Sequence, residues 1–142
     1  KTDMNIQYAT SAADHTRCFE VMKELRPHHN LESFLRTMDA MQKEGYHLLY
    51  LEVEGRMVSV AGFRFTTTLY DGLIIDFDDF VTLTNGRSKG YGAMMFDHLV
   101  GIAKEKGIKM IHLNSAHHRH DAHRFYLNKK MNIIAHHFRL EV

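Results

Sequence analysis

The residues able to do chemistry concentrate between Asp76 and Gly92: Asp76-Phe77-Asp78-Asp79-Phe80-Val81-Thr82-Leu83-Thr84-Asn85-Gly86-Arg87-Ser88-Lys89-Gly90-Tyr91-Gly92. Phe80 to Thr84 has strand character and leads through a basic, glycine-containing loop into an amphipathic segment that begins after Gly90. At such a turn the glycines let backbone approach a ligand, and the unpaired N–H groups and positive dipole end of the helix converge on one spot. With Arg87 and Lys89 adding charge, the spot suits a phosphate or pyrophosphate. Two common phosphate loops fail on spacing. The G-x-x-x-x-G-K-[ST] pattern finds no Gly-Lys-Ser/Thr here, and G-x-G-x-x-G finds Met95 at its third glycine. Just upstream, a period of two puts Asp76, Asp78 and Phe80 on one face and Ile75, Phe77, Asp79 and Val81 on the other; a bulge would exchange the faces. Carboxylates in mid-strand are costly unless paired or used. They are therefore candidates to take a proton or hold a substrate charge.

The elements that must position these groups follow from periodicity. Met4 to Ala9 alternates as a first strand. Ser11 with Asp14 resembles a capping box before a helix bearing Cys18, Val21, Met22 and Leu25, which Pro27 ends. Asn30 caps a second helix with the apolar stripe Leu31, Phe34, Leu35, Met38 and Met41, read as core, and Gly45 stops it. Tyr46 to Val53 and Met57 to Thr67 form a hairpin around Glu54-Gly55-Arg56, with a bulge expected at Ala61-Gly62. Asp71-Gly72 turns into a strand over Leu73 to Leu83, completing an antiparallel meander. From Gly90 the period becomes helical through Tyr91, Met94, Met95, Leu99, Ile102 and Ala103 until Gly107. A strand over Ile108 to Asn114, a polar turn, a short helix with Ala122, Phe125 and Tyr126, and a final strand with Ile134, Phe138, Leu140 and Val142 complete the chain. The order β-α-α-β-β-β-α-β-α-β is an α/β (α+β) class. It predicts one domain over residues 1–142, a mixed, mostly antiparallel sheet with helices on both faces, and a parallel pair at the strand-helix-strand crossover.

Arg87-Ser88-Lys89-Gly90-Tyr91-Gly92 matches R-x-x-G-x-G, and Asp121-Ala122-His123-Arg124-Phe125-Tyr126 resembles N-x-x-A-x-x-F/L-Y. On both motifs and the element order, the chain resembles the Gcn5-related N-acetyltransferase superfamily along essentially its whole length. The resemblance implies the three-layer fold of that family and acetyl-CoA as the donor co-substrate. Backbone groups of Phe80, Val81 and Thr82 would pair with pantetheine, and Arg87, Ser88, Lys89, Gly90, Tyr91 and Gly92 would hold the pyrophosphate, with Asn114 and Asp121 as further cofactor contacts. Tyr126 matches the family's general acid, which protonates the leaving thiolate. Family members with a strand base carry it eleven or nine residues before the motif, which here gives Asp76 and Asp78; His112 is a reserve. Asp121 in place of Asn implies a weaker cofactor contact, and Lys130 in place of a usual Gly implies a differently closed turn.

Acetyl transfer to an amine requires the neutral amine, because an alkylammonium of pKa about 10 has no lone pair. The implied activity is N-acetylation of a primary amine by direct attack in a ternary complex. Cys18 lies outside both motifs, against a covalent thiol route. The three acids favour a cationic acceptor such as a polyamine, an aminoglycoside or a lysine or N-terminal amine. The alternative from another class is a noncatalytic acyl-CoA-binding or regulatory module that keeps the loop. His117-His118-x-His120 and His136-His137 raise a metal site, but neither H-E-x-x-H nor paired cysteines support one, and no metal is expected. Net charge of +1 with mixed signs argues against a nucleic-acid footprint. No apolar run reaches a membrane span and the first residues lack a signal-peptide pattern, so a cytoplasmic protein without a membrane partner is expected. Family habit adds a homodimer as an expectation.

Overall fold

The computed structural model describes residues 3–142, apart from the side chains of Arg87 and Ser88. The chain divides into two compact units, residues 1–112 and 113–142, and each is taken by itself.

In the first unit, strand β1 (Met4–Tyr8) leads to helix α1 (Ala12–Leu25), where the Asp14 N–H donates to Ser11 Oγ at 3.1 Å and Pro27 follows the end. Helix α2 (Leu31–Lys43) opens with a full capping box: the Ser33 N–H donates to Asn30 Oδ1 and the Asn30 N–H to Ser33 Oγ. Its Phe34 and Met38 are buried, and Leu35 and Met41 pack beside them. Strands β2 (Tyr46–Val53) and β3 (Arg56–Thr68) form the expected hairpin, with Glu54 and Gly55 both at positive φ, the requirement of a two-residue primed turn. Strand β4 (Gly72–Thr82) pairs antiparallel with β3, and a 3-10 turn (Thr84–Lys89) leads into helix α3 (Tyr91–Glu105). Strand β5 (Met110–Leu113) lies next to β4 in a five-stranded mixed sheet of order β1-β2-β3-β4-β5.

A core of Cys18, Val21, Phe34 and Met38 from the helices meets Leu48, Val60 and Val81 from the strands. That cluster fastens α1 and α2 to one face. On the other, Phe96 of α3 packs against Phe77 and Phe80 of β4. The sheet is thus covered on both sides, which explains why Ile74 and Ile75, consecutive in β4, are both buried.

In the second unit, helix α4 (His120–Asn128) is the one further regular element among the described residues. The expected final strand does not form: residues 131–142 have no strand assignment, and Ile134, Phe138, Leu140 and Val142 are exposed. Alternation alone makes an extended chain, and a strand needs a ladder partner, which none of the described segments supplies here.

Candidate active site

The site is built on an irregularity in β4. Gly62 pairs with Asp79 and Phe63 with Phe77, so Asp78 is an extra residue on its strand. The bulge lies one rung from the expected Ala61-Gly62, on the partner strand. Its effect is to bring Phe77 and Phe80, three residues apart, onto the same face, their rings stacked 5.4 Å apart and both against Phe96. Strict alternation would separate them. The expected grouping of Asp76, Asp78 and Phe80 on one face is therefore corrected: the extra residue turns Phe80 toward α3 and Asp79 toward α1.

The three acids have three different fates. Asp79 is largely buried; its Oδ1 accepts from Arg26 Nε at 2.8 Å and its Oδ2 from the Tyr46 hydroxyl at 2.7 Å. Arg26 also donates to the Asp78 carbonyl at 3.0 Å, which ties the end of α1 to the bulge. Burial, then the Asp79 charge and hydrogen bond, push the Tyr46 phenol well above its ordinary value and keep it a donor. The bond crosses Gly62 so closely that a Cβ there would meet Tyr46 Oη at 1.6 Å. Asp78 Oδ2 accepts from Arg64 Nε at 2.6 Å. The Asp76 carboxyl has no hydrogen-bond or ion-pair partner among the described residues. Its carboxyl is raised above the ordinary 3.8 by burial first and the Asp78 charge second, against the lowering pull of His112 and Arg64. Two acids are thus paired with arginines, and the carboxyl of the third is not.

Beyond the acids, Phe80, Val81 and Thr82 pair with Ala61, Val60 and Ser59 of β3, and Ser59 Oγ donates to the Val81 carbonyl at 3.2 Å. The Leu83 N–H ends the ladder on the Val58 carbonyl. Glu24 of α1 then fixes the loop, accepting from the N–H and hydroxyl of Thr84. Gly86 is buried beneath the Tyr91 ring, where a Cβ would lie 3.1 Å from Cδ2. Gly90 takes φ +78°, a left-handed conformation, and α3 starts directly after it with neither a side-chain cap nor an acid in its first turn. The first N–H groups of α3 are therefore left for an external acceptor. Lys89 is exposed beside them; Arg87 and Ser88 belong to the 3-10 turn, and the expected roles of their side chains lie outside what is described.

In the second unit, Tyr126 is buried on α4. Burial raises its phenol above the ordinary value, with charge and a hydrogen bond from Arg119 pulling the other way, so it carries its proton at neutral pH. Asn114 is exposed. Asp121 is exposed as well and accepts from Arg124 Nη1 at 2.6 Å, serving its own helix. The expected difference at Lys130 is overturned: it adopts φ +70°, and the Lys130 and Met131 N–H groups bond to the Leu127 and Tyr126 carbonyls. That is the Schellman closure a glycine would make.

His112, the reserve base, is engaged by Asp71, Nε2 to Oδ2 at 2.8 Å. Burial pushes the Cys18 thiol up to about 12, so it is no thiolate nucleophile. Among the described residues no three His, Cys, Asp or Glu side chains converge as a metal site, and no helix is long and apolar enough to cross a membrane. Arg26, Tyr46, Gly62 and Arg64 were not legible as site residues. Their sequence separation from the acids leaves no local signal.

The Acetyltransferase (GNAT) family pattern matches residues 12–131. The chain is 32% identical over 127 residues to the uncharacterized N-acetyltransferase YhdJ of Bacillus subtilis (strain 168), covering 89% of each. In fold it is similar to a transcriptional regulator from Bacillus halodurans C-125, with TM-score 0.85, 20% identity and coverage of 99% of this chain and 100% of that one. It is similar also to the aminoglycoside N-acetyltransferase AAC(6')-Iy in complex with CoA, with TM-score 0.84, 11% identity and coverage of 100% and 96%.

Proposed function

Because the chain belongs to the acetyltransferase (GNAT) family, we propose that its 142 residues act as one acetyltransferase domain, transferring the acetyl group of acetyl-CoA to a primary amine in a ternary complex. The observation that carries this reading is the run from β4 into α3: a proton-accepting acid, a strand end and an uncapped helix N-terminus follow one another within residues 76–92. Pantetheine lies along Phe80, Val81 and Thr82, and the pyrophosphate takes the free N–H groups after Gly90 with charge from Arg87 and Lys89. CoA supplies the thioester and the leaving thiolate.

The neutral amine attacks the thioester carbonyl carbon, the carbon–sulfur bond breaks, and N-acetylated amine and CoA thiol leave. Asp76 takes the proton lost by the amine, directly or through water. It suits the task better than Asp78 or Asp79, whose charges are held by Arg64 and Arg26. Tyr126, kept protonated by burial, gives its proton to the thiolate.

The test is CoA release from acetyl-CoA with a panel of amines, together with CoA affinity by calorimetry. Tyr126→Phe and Asp76→Asn are expected to lower kcat by about 10²–10⁴-fold with CoA affinity kept. A wild-type chain that binds CoA and releases none with any amine overturns the reading in favour of a noncatalytic acyl-CoA-binding module.

A further inference from the structure

Within the first unit, α1, α2 and the start of β2 line an open-mouthed cavity of about 270 Å³ that reaches Asp79. Its walls are Met22, Phe34, Met38 and Met41, with the His28 and His29 rings, 4.6 Å apart, at the turn between the helices. Asp79 immediately precedes Phe80, the first residue of the proposed pantetheine rail. Granting the acetyl-transfer reading on which this rests, the cavity is where the acceptor's body lies.

From its lining we infer that the acceptor is a small monoamine with an apolar body, not a polycation. The reasoning is a charge balance. Asp79 is the one acid among the described lining residues, and each of its oxygens already holds a donor, Arg26 Nε and the Tyr46 hydroxyl. Arg26 cancels its charge, and the other described lining residues supply no further carboxylate. A polyamine or aminoglycoside would bring further ammonium groups into a partly desolvated space with no carboxylate free to receive them, and that is costly. A single amine has only one charge, which it gives up before attack, and it places its hydrocarbon against Phe34 and three methionines, whose unbranched side chains adapt to its shape. The volume, just under the usual range of about 300–1,000 Å³ for ligand pockets, suits a small body. By composition the three neighbouring acids favour a cationic acceptor, but Asp78 and Asp79 are held by Arg64 and Arg26, and Asp76 does not line the cavity.

The experiment compares 2-phenylethylamine and hexylamine with spermidine and kanamycin in two readouts: kcat/KM for CoA release, and the thermal shift of the protein without CoA. The apolar monoamines are expected to exceed the polycations by about tenfold or more in kcat/KM and to give the larger shift. Met41→Glu, at the half-buried end of the wall, is expected to narrow or reverse that order while leaving the KM for acetyl-CoA unchanged; Thr37→Glu serves the same purpose if Met41→Glu does not fold. Equal responses, or a preference for spermidine or kanamycin in either readout, overturn the inference while acetyl transfer stands. Failure of CoA binding and of release with every amine would instead count against the acetyl-transfer reading itself, and the thermal shifts would still decide the preference.

Discussion

The Tyr46 hydroxyl reaches Asp79 Oδ2 at 2.7 Å by passing over Gly62, the residue that pairs with Asp79 across β3 and β4. One missing side chain thus allows a phenol from β2 to fix an acid two strands away. Arg26 holds the other oxygen, so the floor of the cavity is set by three elements at once.

Gly62→Ala is expected to destabilise the protein by about 1–3 kcal/mol, the range for forced overpacking, because the new Cβ overlaps Tyr46 Oη and Cζ. Urea denaturation measures it. Tyr46→Ala introduced into the Gly62→Ala variant should cost less than it does in the wild type, since the clash it relieves is absent from the wild type. Additive costs would show that the hydroxyl's path over Gly62 does not matter.

Asp76 should make stability fall as pH rises. Its folded-state pKa is raised above the unfolded 3.8, so its contribution is fully present below that value and is lost as pH climbs through the folded value. Asp76→Asn mimics the neutral acid: the two proteins should match near pH 3, and the variant should be the more stable at pH 7. Denaturation at both pH values checks the crossing. The same substitution should remove the acid limb of the kcat/KM profile if Asp76 takes the amine's proton.

Lys130→Gly should stabilise the chain. Lys130 sits at φ +70°, where an L side chain costs roughly 1–2 kcal/mol, partly offset by glycine's greater chain entropy of about 0.5–1 kcal/mol. A net gain of a few tenths to about 1 kcal/mol is expected, read as a rise in denaturation midpoint. Lys130→Val should lower it.

Gly90→Ala tests the loop. Nothing lies within 4 Å of a Cβ there, so the cost comes from φ +78° alone, about 1–2 kcal/mol. If the backbone relaxes, the first N–H groups of α3 turn away, and CoA affinity measured by calorimetry should fall about tenfold. Unchanged affinity would mean that these groups do not hold the pyrophosphate.

The framework is legible in the order of residues: caps at Ser11 and Asn30, stops at Gly45 and Gly107, the Glu54-Gly55 turn and the period change at Gly90 are local effects, and each appears where its residues stand. The glycine-containing loop and the family are legible for the same reason, because both rest on short-range pattern. What the acids do is set only by the folded chain. Asp76, Asp78 and Asp79 are alike in sequence, and their difference comes from Arg64 and Arg26, 14 and 53 residues away, and from one extra residue in β4 that turns neighbouring side chains to opposite faces. The tail from Ile134 to Val142 makes the same point from the other side. Its alternation is written in the sequence, but a strand exists only where another strand supplies its hydrogen bonds.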